Sequence, residues 1–423
     1  MAVEASVGLT RSWDAFDAGE EIAVNTLEKL EGKPKFFLVF PTIHYHKNGG
    51  FRKFIDGVYT QLPKDVPLVG CTVAGFMIPQ GCYTRGAAAL SVSNPNMDIA
   101  VSKGSNTKRN PLMAAKQCAY NMRKQLDSST YKNPYLLALI SGGLVPQIPG
   151  YGRKKVIRGL TSTLIMNLSD LSLLLLQKGV GREEEVLEEL SKQMSDYPII
   201  SGSSMDDGKA MLNFQFINDK VETNSIVALG IKTNSEVFFS GVSSLKPNKT
   251  FEVTRMSSDK RTILEINNKP AVKEFLSILK WPEDYLDERL LRRTFFYPIG
   301  FMQEDSWVAD IVGIVLGTSF VVLHKIKDNK MAILSASSNN ILNSVSETLR
   351  PLENKTPSFG IISTCDGILE GLGSQTFKIH EKLLGFFGSA PFIALFFGGE
   401  AMRQPNNNLK YRNVSFNASV FVK

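Results

Sequence analysis

DVPLVGCTVAG, residues 65–75, decides how this chain is read. Pro67 opens a short apolar run that closes on the small residues Gly70, Cys71, Thr72, Ala74 and Gly75. Proline is tolerated at the start of a strand because its missing N–H need not join the ladder. A short apolar run bounded by turn residues reads as a buried strand leaving into a tight turn. KPKFFLVF (33–40) precedes this stretch and GAAALSV (86–92) follows it. The series recurs as NPYLLALISGG (133–143), DYPIISGSSMDDG (196–208) and NSIVALGI (224–231). It appears again as TPSFGIISTCDG (356–367), SAPFIALFFGGE (389–400) and NVSFNASVFV (413–422). Fixed order with variable spacing is the mark of a repeated supersecondary unit.

An amphipathic stretch separates the first two runs, as in GFRKFIDGVYTQL (50–62) and REEEVLEELSKQM (182–194). In the latter, Val186, Leu187, Leu190 and Met194 recur at helical spacing, with the glutamates and Lys192 on an opposite, solvated face. The unit is therefore strand, helix, strand, strand. In the first two copies the third run is expected to continue into a hairpin with MDIAVSKG (97–104) or EVFFSGV (236–242). The fold class is α/β, built of mixed α+β layers. Two domains are expected, 1–246 with an internal duplication and 250–423, divided at the polar connector LKPNKT (245–250).

Residues 251–352 read differently. TFEVTRM and TILEINN alternate, Asn267 and Asn268 lead through Pro270 into a helix, and FVVLHKI and MAILSAS read as a hairpin before a polar helix near Asn339. The second copy carries the insertion LVPQIPGYGRKKVIRG (144–159), of a length found in lids, binding elements and mobile tips.

With 423 residues, 43% of them hydrophobic, the chain can bury a large core without staples. Its four cysteines are too few and too scattered for a disulfide framework, which points to reduced thiols in a cytoplasmic protein. The net charge of +7 is interspersed with acids and accompanies no helix-turn-helix, zinc-finger or RNP pattern, so no nucleic-acid partner is expected. The N-terminus has early acids and no basic n-region leading into an apolar h-region, so no signal peptide is expected. LIMNLSDLSLLLLQKG (164–179) is broken by Asn167, Ser169 and Asp170 and reads as a buried helix rather than a membrane span.

Chemistry concentrates at the strand exits: Gly70-Cys71-Thr72 with Gly75, Gly202-Ser203-Ser204 with Asp206 and Asp207, Cys365-Asp366, and Gly399-Glu400. Small residues after a buried strand let backbone N–H groups approach a ligand. The plainer alternative is that these are tight strand exits. Cys71 and Cys365 are either thiols activated at a turn or inert small hydrophobes. His44 and His46, two apart, would share one face of a strand, either toward a metal or within a loop covering the first pocket. Neither nucleotide motif nor GxSxG is present, so no cofactor, metal or catalytic residue is assigned.

VPLVGCTVAGFM at Val66, SIVALGI at Ser225, ILEINNKPAVKEFL at Ile263 and GFFGSAPFIALFFGGEAM at Gly385 together resemble the FIST proteins, in both their N-terminal and C-terminal domains. The resemblance implies an intracellular sensory protein that binds a small molecule, an amino acid or similar metabolite, and feeds a signalling partner. Some relatives join the C-terminal half to an F-box. Gly70, Cys71, Thr72, Ala74 and Gly75 match the family's GC(S/T)xAG turn, and Gly399 with Glu400 its closing pair. Cys365 falls where relatives carry a cysteine. The chain departs where relatives have an arginine after that cysteine, and at Ala401-Met402.

On this reading Glu400 or Asp206 would receive an ammonium or hydroxyl, and the amides of Gly70 and Gly202 a carboxylate. The competing readings are an adaptor contacting its partner through Tyr151 and residues 153–155, and a cysteine-dependent enzyme.

Overall fold

The computed structural model describes residues 4–145, 147, 152–158, 181–303 and 306–422. The apolar segment 164–179 and Tyr151 lie outside these. Three six-stranded sheets share one connectivity. The first runs Glu4–Thr10, Ala87–Ser93, Phe36–Pro41, Leu68–Cys71, Gln215–Ile217, Lys220–Glu222. The second runs Met97–Ser105, Ser225–Thr233, Asn133–Ser141, Ile199–Ser204, Glu400–Arg403, Lys410–Arg412. The third runs Val237–Ser243, Ser415–Val422, Pro357–Cys365, Phe392–Phe397, Gly75–Ile78, Gly81–Tyr83.

In each sheet the first and second runs pair in parallel, and their neighbours are antiparallel. The prolines that open the second runs hold one structural position. The carbonyls of Pro67, Pro198 and Pro391 accept from the amides of Phe37, Leu136 and Gly360 at 2.9, 3.0 and 3.0 Å.

The runs are continuously apolar because both faces of each sheet are covered. Phe36, Leu38 and Phe40 join Leu137, Leu139, Ile361 and Leu395 in a core shared by all three sheets. Phe37 and Val39 face the other way, onto the helices Ala15–Leu27 and Phe51–Val58. The unit extends further toward its N-terminus than the sequence suggested. A strand and a helix stand in front of the first run, as in Glu4–Thr10 with Ala15–Leu27, whose first turn is capped by the Asp14 carboxylate.

The expected hairpins do not form. Met97–Ser105 pairs with Ser225–Thr233, and Val237–Ser243 with Ser415–Val422, so each strand passes to the next sheet. The reason is that Ala87–Ser93 already has Glu4–Thr10 on one edge and Phe36–Pro41 on the other, which leaves no edge for the strand that follows it. A second exchange follows each second strand. The hairpin 75–83 joins the third sheet, 215–222 the first and 400–412 the second.

Residues 246–335 insert eight strands of a nine-stranded sheet, whose ninth, edge strand is Val156–Ile157. The connector LKPNKT begins the strand Lys246–Met256 rather than a linker. FVVLHKI and MAILSAS are strands but not partners. Ser319–Val322 pairs with Thr262–Ile266 and Val312–Leu316, whereas Lys330–Ser335 pairs with Lys246–Met256 and Ile299–Gln303. The carboxylate of Asp310 accepts from the amides of Leu323 and His324 at 3.0 and 2.7 Å, drawing the chain out of the ladder after Val322.

Candidate ligand cavity

The strand exits converge. Met205 N–H donates to Thr72 O at 3.1 Å, Ala74 N–H to Phe396 O at 3.0 Å, Ser203 N–H to Gly399 O at 2.8 Å and Gly398 N–H to Ser203 O at 2.9 Å. Between the second and third exits a cavity of about 70 Å³ opens beneath the inserted sheet. Gly142, Gly143, Ser204, Met205, Cys365, Asp366 and Gly398 line it from the strand ends. Ile311, Ile314, Val321, Leu323 and His324 line it from the inserted sheet, and Glu183 and Tyr411 complete it.

Glu183 begins the helix Glu183–Gln193, whose glutamates were expected on a solvated face. Glu183 and Glu184 are instead buried. Val186, Leu187 and Leu190 pack on the second sheet's core, while the inserted sheet closes over the opposite side. There Arg261 holds Glu184 at 2.6 Å, and the amide of Lys325 also donates to Glu184. Glu183 Oε1 accepts from the amide of Gly143 at 2.7 Å, whereas Oε2 is buried and accepts no hydrogen bond from any described residue. Burial raises the Glu183 carboxyl above its usual range, against the pull of His324 and Lys108.

His324 Nε2 lies 3.0 Å from the Tyr411 hydroxyl, and Nδ1 lies 3.4 Å from Asp310 Oδ2, an ion-pair distance without hydrogen-bond geometry. Burial alone would lower His324, but Asp310, Glu184 and Glu183 outweigh it and raise the imidazole to about 9. Asp366 goes the same way for a different reason. Burial first, then Glu370 and Asp206, raise its carboxyl to about 7.

Of the residues singled out in the sequence, Ser204, Cys365 and Asp366 line this cavity. Ser204 Oγ is committed, donating to Ile140 O and accepting from Gln215 Nε2. The first exit packs against the junction instead. A Cβ on Gly70 would lie 1.9 Å from Val39 O, Cys71 sits in the shared core, Thr72 Oγ1 accepts from Phe214 N–H, and Gly75 pairs with Phe396. Gly202 packs under the Phe397 ring, where a Cβ would lie 2.3 Å away. The amides of Gly70 and Gly202 belong to strand ladders. Ser203 lies in the junction itself, and a Cβ on Gly399 would meet the Tyr411 hydroxyl at 2.6 Å.

The carboxylates read as ammonium receivers are already occupied. Asp206 accepts from four successive amides, Lys209 to Leu212, at 2.7–3.2 Å. Glu400 Oε1 accepts from the Ser415 amide and hydroxyl at 2.7 and 2.8 Å. Glu183, His324 and Tyr411 were not singled out. The acidic turn opening the helix 182–194 is the sequence signal for Glu183, and nothing comparable marks His324 or Tyr411.

Burial pushes the Cys71 and Cys365 thiols well above their ordinary range, the opposite of nucleophile activation. Cys365 Sγ accepts from the Gly367 amide at 3.4 Å as the cap of a short helix. His44 and His46 lie on the 3-10 turn Ile43–His46 rather than on a strand. His44 Nδ1 contacts Thr42 Oγ1 at 2.8 Å, and His46 packs on Phe51 and Phe214. Among the described residues no group of three His, Cys, Asp or Glu side chains is arranged to hold a metal. The basic run 153–155 lies against the molecule, with Arg153 donating to Met211 O and the Lys155 amide to Glu288.

The profile of the FIST N domain matches residues 9–269. The chain belongs to the FIST family. FIST domains are sensory domains, which fits a role in signal transduction. Among solved structures, the FIST chain is similar to cyanuric acid hydrolase from A. caulinodans, at 7% identity and a TM-score of 0.37, with all of both chains covered. It is also similar to PurLQS from Thermotoga maritima, at 11% identity and a TM-score of 0.21, with 100% of this chain and 72% of that one covered. No curated protein matches the FIST chain. Among its described residues no helix is long and apolar enough to cross a membrane.

Proposed function

We propose that this FIST protein is a cytoplasmic receptor for a small amine-bearing metabolite, a class that includes the amino acids, and that it reports occupancy to a signalling partner. The metabolite lies in the cavity where the second and third strand exits meet the inserted sheet. The supporting observation is Glu183, 5% exposed, with one carboxylate oxygen on the wall of that cavity lacking a donor among the described residues. A buried polar atom without a partner costs about 1–3 kcal/mol, more when charged, so a ligand N–H placed there is favoured. A water needs roughly 10–15 Å³ of such space, so about 70 Å³ suits a ligand of a few heavy atoms.

The walls come from both the strand exits and the inserted sheet, so a bound ligand bridges them. That bridging is the means by which occupancy reaches the surface. Thiolate catalysis finds no support, because the two thiols considered for it are deactivated by burial. A melting screen of amino acids, amines and small acids tests the reading. A true ligand at about 100 times its Kd stabilises by about 2.7 kcal/mol. Failure of every compound to raise the melting temperature overturns the proposal.

A further inference from the structure

The cavity carries two carboxylates in separate charge environments. His324, Glu184 and Lys108 act on Glu183, whereas Glu370, Asp206, Asp207 and Arg292 act on Asp366. Asp366 is 5% exposed and accepts no hydrogen bond from any described residue. Its Oδ2, 3.7 Å away, is the only atom that a Cβ on Gly208 would meet within 4 Å, so this carboxylate borders open space. The cations nearby are engaged elsewhere. Arg292 pairs with Glu370 at 2.6 Å, and Arg85 and Lys209 pair with Asp207 at 3.6 and 2.8 Å.

Among the described lining residues the only cationic side chain is His324, which is held by Asp310 and Tyr411. Lys108 is buried near Glu183 but does not line the cavity, and burial lowers it to about 8. Two of the lining amides are already occupied: Gly143 N–H donates to Glu183, and Gly367 N–H to Cys365. Leu144, Val145, Ile311, Ile314 and Val321 supply apolar wall.

Resting on the cavity being a ligand site, we propose that it takes a short aliphatic α,ω-diamine, with one ammonium at Glu183, the other at Asp366, and the methylenes along the apolar wall. An amino acid would bring its carboxylate beside two like charges.

Calorimetric titration of the full chain at about pH 8, with diaminobutane, butylamine, glycine and succinate, tests this. Diaminobutane should bind saturably and at least about tenfold more tightly than butylamine, and succinate not at all. Glu183→Gln and Asp366→Asn, each checked for an intact melting transition, should lower diamine affinity to the butylamine level. The comparison of diamine with monoamine on the unaltered protein decides the matter even if a variant misfolds. Binding of glycine or succinate as tight as that of the diamine would overturn the dication while leaving the cavity a receptor site. Absence of binding by all four overturns the dication, and the broader reading then stands or falls on the melting screen.

Discussion

Asp366 and His324 both gain protons on folding, so both make stability fall as pH rises, but in different windows. The Asp366 carboxyl moves from 3.8 to about 7, so its cost is absent at low pH and complete above about 7. Asp366→Asn should therefore stabilise the ligand-free protein near pH 8, by on the order of 1–4 kcal/mol, and give no gain near pH 4. Melting curves at the two pH values check this, and an equal gain at both would contradict it. The His324 imidazole moves from 6.5 to about 9, so its contribution is whole below about 6.5 and lost as pH rises through about 9. His324→Gln should show its largest stability deficit near pH 6 and little above pH 9. The thiols give a third outcome at this scale. Iodoacetamide at neutral pH should modify none of them faster than free cysteine, with half-buried Cys82 reacting first.

Ser204, Cys365 and Asp366 were legible because a buried run ending in small polar residues marks a strand exit whatever lies beyond it. Glu183 and His324 were not. A glutamate on the polar face of an amphipathic helix reads as solvated, and only the inserted sheet, more than 60 residues away in sequence, buries it. Asp206 misled for the opposite reason. Its position at an exit was correct, but its carboxylate is spent on the four amides of its own loop.

The elements were read well where local pattern decides them and poorly where partners do. Strands such as Phe36–Pro41 and Pro357–Cys365 follow from apolar runs alone. Which edge a strand joins depends on which edges are already filled, and that is not written in the strand itself. The helix pair Ala15–Leu27 and Phe51–Val58 offers a direct test of packing. A Cβ on Gly19 would lie 2.0 Å from Phe54 O, and one on Gly57 would lie 2.1 Å from Phe16 O. Either Gly→Ala change should cost about 1–3 kcal/mol in denaturant unfolding, since backbone rather than a side-chain tip must give way. Arg261→Met, which strands the buried Glu184 charge, should cost about 3–5 kcal/mol.

At the scale of the molecule, the exchanged hairpins tie the three sheets in a ring: 75–83 to the third, 215–222 to the first, 400–412 to the second. No sheet is complete without a segment from a neighbouring unit, and all three share one core. Unfolding of these sheets should therefore be a single step, with amides of Gly75–Ile78, Ile199–Ser204 and Glu400–Arg403 losing hydrogen-exchange protection together. The same ring brings the strand exits to one junction and leaves beside it the cavity from which the receptor role is argued. The most direct measurement is a crystal structure of the chain grown with a compound that raises its melting temperature. That compound should appear in density bounded by Glu183, His324, Asp366 and Tyr411. Density instead in the cleft beside Tyr197, Phe239 and Gln404, with this cavity empty, would contradict it.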